Sequence, residues 1–223
     1  MDKALALPIS IHEPKRLKTW QLFAILAAIN LLVMLILNKF ILTREVYYTL
    51  LSSRMETSRI DDYFSMINKF RLWGYLAAPV ILWFKITIVS LLIQLPLMIK
   101  FIEIPFKQIF RIVAWANSAM IILSIVNIIH LWNIPASEYT KNTMSFIPLS
   151  LMGLFHNLHF SAAAKGFINS INVFELLWVF VIYKGLSRTG KLEKIDSAII
   201  ASGVWVGLEI FQYALLTYLN RMG

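Results

Sequence analysis

The chain has no cysteine among its 223 residues, so disulfides and thiolate metal sites are excluded, whatever the compartment. Charge is also scarce. Asp, Glu, Lys and Arg make up 15% of residues, against about a quarter in a soluble domain. Acidic residues are rarest, 12 against 21 basic. Catalytic signatures are missing too: no H-E-x-x-H helix, no G-x-S-x-G elbow and no G-x-x-x-x-G-K-[ST] phosphate loop. No positive feature argues for an enzyme or a bound cofactor.

What fills the chain is apolar. Hydrophobic residues reach 59% and the mean hydropathy is +0.70. That surplus needs hydrocarbon as its solvent, and runs of roughly 18 or more apolar residues read as membrane spans. The expected fold is all-α: a polytopic transmembrane bundle of about five spans, at residues 20–42, 72–99, 112–132, 165–186 and 197–219. Residues 1–19 form a polar, basic tail with no cleavable signal pattern, its apolar stretch broken by Pro8. Residues 20–223 form one membrane domain.

The connecting segments have their own character. Residues 43–71 are polar, and the pair Asp61–Asp62 marks the start of a short surface helix. Residues 147–160 place Ile147, Leu151, Leu154, Phe155 and Leu158 on one helical face. They are too few and too polar to span, so an interfacial or re-entrant helix is expected before the fourth span. That fourth span has an apolar core of only Ile171–Tyr183 and must recruit residues 162–170 to cross. Trp20, Trp73, Trp132, Tyr183 and Tyr218 fall at span ends, as an interfacial aromatic belt does.

The net charge of +9 falls between apolar runs, where it orients the chain and meets lipid headgroups rather than nucleic acid. With the N-terminus inside, 11 Lys and Arg lie inside against 9 outside over a greater length. The expected orientation is N-terminus in and C-terminus out.

Several stretches together resemble one family. They are YLAAPVILWFK (75–85), FKQIFRIVAWA (106–116), PLSL (148–151), NVFELLW (172–178) and GLSRTGK (185–191). In this order they look like the Yip (Ypt-interacting protein) family of five-span membrane proteins, particularly its bacterial members, over roughly residues 74–219. Val173 stands where the family usually has Pro after the Asn of the fourth-helix motif. The long Pro/Gly-rich tail of eukaryotic members is not present, so their binding of Rab-type GTPases and their trafficking role do not carry over. For bacterial members the resemblance implies a place in a bacterial inner membrane, a fold and little defined activity.

Candidate sites come from polar groups inside the apolar runs. Lys85 sits near the middle of a 28-residue run and Glu209 sits mid-span in the fifth. An intramembrane ionisable residue marks a functional site by default, although a lysine near an interface can snorkel out. A Lys85–Glu209 contact would fix helix register or form part of a proton or solute path. Gly203 and Gly207 make a G-x-x-x-G face for close helix packing, within the chain or between subunits. Ala114, Asn117, Ser124 and Asn127 form a stripe on the third span, read as interhelical hydrogen bonding or as a polar path. His156 and His159 share one side of residues 147–160 as weak metal candidates without a third ligand.

Three functions follow. The leading one is a non-enzymatic accessory subunit or organiser of a membrane assembly, with a membrane-protein partner or a second copy of itself. The second is a small-solute or lipid transporter using Lys85 and Glu209, weakened by the lack of an inverted repeat. The third is an intramembrane metalloenzyme resting on the histidines.

Overall fold

The computed structural model describes residues 17–140, 143–144, 146–154 and 162–222. They are mostly helical, with no strand among them. Helix α1, Thr19–Ile36, runs on through a π-turn at Leu37–Ile41. Helix α2 is Arg44–Leu51, α3 is Thr57–Ile99 and α4 is Phe106–Trp132. Then come α5, Ala162–Ser170, and α6, Val173–Ser187. Helix α7, Lys194–Met222, closes the chain.

Four helices are long and apolar enough to cross a bilayer: Thr19–Ile41, Thr57–Ile99, Phe106–Trp132 and Lys194–Leu219. The molecule is a multi-pass membrane protein. The surface of these helices is itself apolar, with Trp20, Trp73, Leu76, Ile81, Leu95 and Phe211 all exposed. Such a belt is stable only against lipid.

Helix α4 holds the bundle together, packing against α1, α3 and α6. Its Val113, Ala114, Ala116 and Ala119 are buried, and the three alanines let neighbouring backbones come close. Ile86, Ile93 and Leu97 from α3 and Ile182 and Leu186 from α6 complete the same core. The tightest approach is at Gly185, where an added Cβ would lie 2.4 Å from Ile112 Cγ2.

The expected surface helix near Asp61 is not separate. Its residues are the first turns of α3, which runs unbroken for 43 residues. At 1.5 Å per residue α3 is about 65 Å long, twice the roughly 30 Å of hydrocarbon, so its polar N-terminal third stands outside the bilayer. Helix α2 folds back on that third. Arg44 donates from Nη2 (2.5 Å) and Nε (2.8 Å) to Asp61 Oδ1, and the Tyr48 hydroxyl donates to the same oxygen. The bond to Asp61 raises the Tyr48 phenol above its ordinary pKa and keeps it a donor.

The expected fourth span, residues 165–186, is not one helix. It breaks at Ile171–Asn172 into α5 of 9 residues and α6 of 15. The cause is local competition for hydrogen bonds. Asn172 Oδ1 accepts from the Phe174 (2.9 Å) and Glu175 (3.0 Å) N–H groups, which caps α6. The chain at 149–151 pairs across the break: Leu151 N–H donates to Ile171 O (2.9 Å) and Val173 N–H to Leu149 O (3.3 Å). The same pairing corrects the helix expected over residues 147–160. Ser150 and Asn172 form an isolated antiparallel bridge, Leu149 takes a positive φ of 58°, and only Leu151–Leu154 winds, as a 3-10 turn. Residues 155–161 of that segment lie outside the described residues.

Gly185→Ala is expected to cost about 1–3 kcal/mol of stability, because its methyl overlaps Ile112. Ile112→Val should return part of it. Gly203→Ala, with open space at its Cβ, should be neutral or up to about 1 kcal/mol stabilising. Reversible unfolding in mixed detergent and SDS measures all three, and equal effects at Gly185 and Gly203 would contradict this packing.

Candidate functional site

Three ionisable side chains from three helices converge on one cavity. Lys85 comes from α3, Glu175 from the first turn of α6 and Glu209 from α7. The cavity has a volume of about 620 Å³, and its other walls include Trp178, Trp205, Phe84 and Met120. Glu209 is buried and Glu175 half-buried. Lys85 is exposed, as are Phe84 and Phe211 of the same walls, so the cavity is open on one side.

The helix break builds this arrangement. Ser170, the last residue of α5, turns its hydroxyl to Glu209 and donates to Oε2. Two residues on, Asn172 caps α6, so Glu175 lies where the α6 dipole is positive and a carboxylate is favoured. The Trp205 indole faces the Glu175 carboxyl, but its Nε1 falls short of a hydrogen bond and is left buried without one.

The charges act on one another in sequence. Lys85 attracts Glu175, and Glu175 and Glu209 repel each other. Among the described residues the ion pairs are Arg44–Asp61 and Lys100–Asp196, so Lys85 is in direct ionic contact with neither carboxylate. Lys85 and Glu209 thus share a cavity, with Glu175 as the carboxylate that interacts with both. Sequence reasoning passed over Glu175, although it is the one charged residue between Lys165 and Lys184.

The α4 stripe faces α1 instead. Asn117 and Ser124 line a second cavity of about 390 Å³ with Asn30, and Lys85 forms part of its wall as well. Ser124, Asn127 and His130 line a third of about 340 Å³, again with Asn30. Ser124 returns its hydroxyl to Met120 O of its own helix (3.0 Å), and Asn127 Oδ1 is buried without a partner. Asn117, Ser124 and Asn127 make no hydrogen bond to another helix. They line space.

Gly203 and Gly207 lie on an exposed face of α7 with nothing within 4 Å of an added Cβ. His156 and His159 lie outside the described residues. Among the described residues no three His, Asp or Glu are grouped to hold a metal ion. Gly185–Lys191 does carry the G-x-x-x-x-G-K spacing, but Leu192 stands where a phosphate loop needs Ser or Thr, and Gly185 lies inside α6 rather than in a loop.

No family model, curated protein or solved structure matches the chain.

The Ser170–Glu209 contact should appear as a coupling of about 0.6–2 kcal/mol in a double-mutant cycle on Ser170→Ala and Glu209→Ala, read by unfolding in SDS. Additive single effects would remove Ser170 from the site.

Proposed function

We propose that the chain binds a small cationic solute inside the membrane and carries it across. The observation behind this reading is the convergence of Lys85, Glu175 and Glu209 on one 620 Å³ cavity beside a broken helix. With all three ionised the site carries one net negative charge, which a bound cation or proton neutralises. Trp178 and Trp205 line the cavity, and indole rings attract organic cations. Discontinuous helices at such sites let backbone and side-chain dipoles meet a substrate at mid-membrane depth. Lys85 is the internal competitor: it balances Glu175 when the site is empty and yields that carboxylate to an incoming cation. The reading extends the solute-transport alternative and adds Glu175 to Lys85 and Glu209.

A second reading has its own support. The open Gly203–Gly207 face of α7 suits a second transmembrane helix, as an accessory subunit or organiser of a membrane assembly requires. The resemblance to bacterial Yip-family proteins fits either reading. Both place the protein in the inner membrane of a bacterium, with its N-terminal tail inside, as a non-enzymatic component.

Transport is tested in proteoliposomes. Ethidium uptake reports an organic cation and internal pyranine reports protons. Wild-type protein is expected to raise one of the two fluxes above empty vesicles. Glu175→Gln and Glu209→Gln should each cut it by about tenfold or more, as expected for intramembrane charges, while Lys69→Gln on the exterior part of α3 leaves it intact. Flux equal in wild type and both Gln variants would overturn the reading. The second reading predicts that Gly203→Leu breaks a complex seen by sedimentation in lipid nanodiscs while leaving the monomer folded. An unchanged sedimentation profile would remove it.

A further inference from the structure

At the opposite end of the bundle from the α2 hairpin, α4 begins and α6 ends. Two adjoining cavities lie between them, of about 530 and 450 Å³, sharing Ile112, Trp115, Gly185 and Arg188. Lys107 and Arg111 line the first, one turn apart on α4. Lys184 and Arg188 line the second, one turn apart on α6, and Arg188 reaches both. No carboxylate lines either cavity.

The rest of this membrane face balances its charge differently. Lys100 is paired with Asp196, and Lys191 donates to the Glu103 carbonyl. Among the described residues, Lys107, Arg111 and Arg188 make no ion pair or side-chain hydrogen bond. Lys184 has only the ring faces of Phe180 and Tyr183, 5.7 and 5.9 Å away. Four cations are therefore gathered round one opening with no anion to match them among the described residues, and Arg guanidinium groups bind phosphate in bidentate fashion. The floor is apolar. Trp115 and Phe180 are 46% and 51% exposed, on the lipid side of the cations. Gly185 makes the site possible, since its missing side chain lets α6 close on Ile112 and brings the two basic pairs together.

We propose that this groove is a binding site for an anionic phospholipid, its phosphate held by Arg111 and Arg188 with Lys107 and Lys184 beside them, and its acyl chain lying against Trp115 and Phe180. A basic pocket between transmembrane helices recognises lipid headgroups in this way. A free phosphate would satisfy the cations but leave the apolar floor unused. The site is independent of the Lys85–Glu175–Glu209 cavity and needs no transport activity.

The full chain, purified in a neutral detergent, is titrated with phosphatidylglycerol, phosphatidylcholine or inorganic phosphate, and bound lipid is read by native mass spectrometry. Phosphatidylglycerol is expected to bind in a one-to-one complex, with phosphatidylcholine weaker. Combined Arg111→Gln and Arg188→Gln should weaken it by about tenfold or more, given two lost charge contacts. Arg111→Lys with Arg188→Lys, which keeps charge and fold, should retain part of the affinity, and Lys191→Gln all of it. Equal binding by wild type and the double Gln variant overturns the proposal. So does inorganic phosphate displacing the lipid at equal concentration, which would make the groove a site for a free anion.

Discussion

Hydrocarbon offers no hydrogen bonds, so every backbone N–H and C=O inside the bilayer must find its partner within the protein. The described residues meet this constraint mostly with helices, and the break between α5 and α6 shows how strict the rule is. At Ile171–Asn172 the helix stops. The freed groups are taken up by the Asn172 side chain and by Leu149 and Leu151 of a neighbouring segment. Without those partners the break would leave bare amides in an apolar medium. With them, it leaves a polar notch beside Glu209, Ser170 and Glu175.

The notch shapes the chemistry around it. A single continuous helix over residues 165–186 would place Glu175 partway along a uniform helix, with no free N-terminus near it. Breaking the helix puts Glu175 at a positive helix end and turns Ser170 toward Glu209. Glu175 then comes within electrostatic range of both Glu209 and Lys85 without an ion pair forming. Among the described residues no salt bridge closes the spare volume beside them.

Helix packing separates this centre from the basic groove. Helix α4 serves both: its polar stripe lines the space that reaches Lys85, while its first turns carry Lys107 and Arg111. The small residues along it, and Gly185 facing Ile112, set how closely α6 approaches. The α4–α6 pair thus fixes the width of the groove at the surface. The two sites differ in charge, one net acidic and one wholly basic, so they suit different ligands.

Much of the architecture was legible in the order of residues. Apolar runs near Trp20, Leu72, Ile112 and Ser197 located the four long helices, because the bilayer requires about 20 apolar residues in succession. Lys85 and Glu209 stood out for the same reason, as charges where charge is costly. The helix break was not legible, since Asn172 is tolerated inside a membrane helix unless another segment arrives to bond the opened backbone. Glu175 went unnoticed because its meaning depends on that break. Nor did the one-dimensional pattern show that α3 would run on into its polar third, that Gly203 and Gly207 would face outward, or that Lys107 and Arg111 would meet Lys184 and Arg188. Hydropathy is a property of each segment against its solvent, so the sequence alone determined which residues enter the membrane. Distances between segments depend on which side chains leave room for which neighbours, and only the tertiary structure decided that.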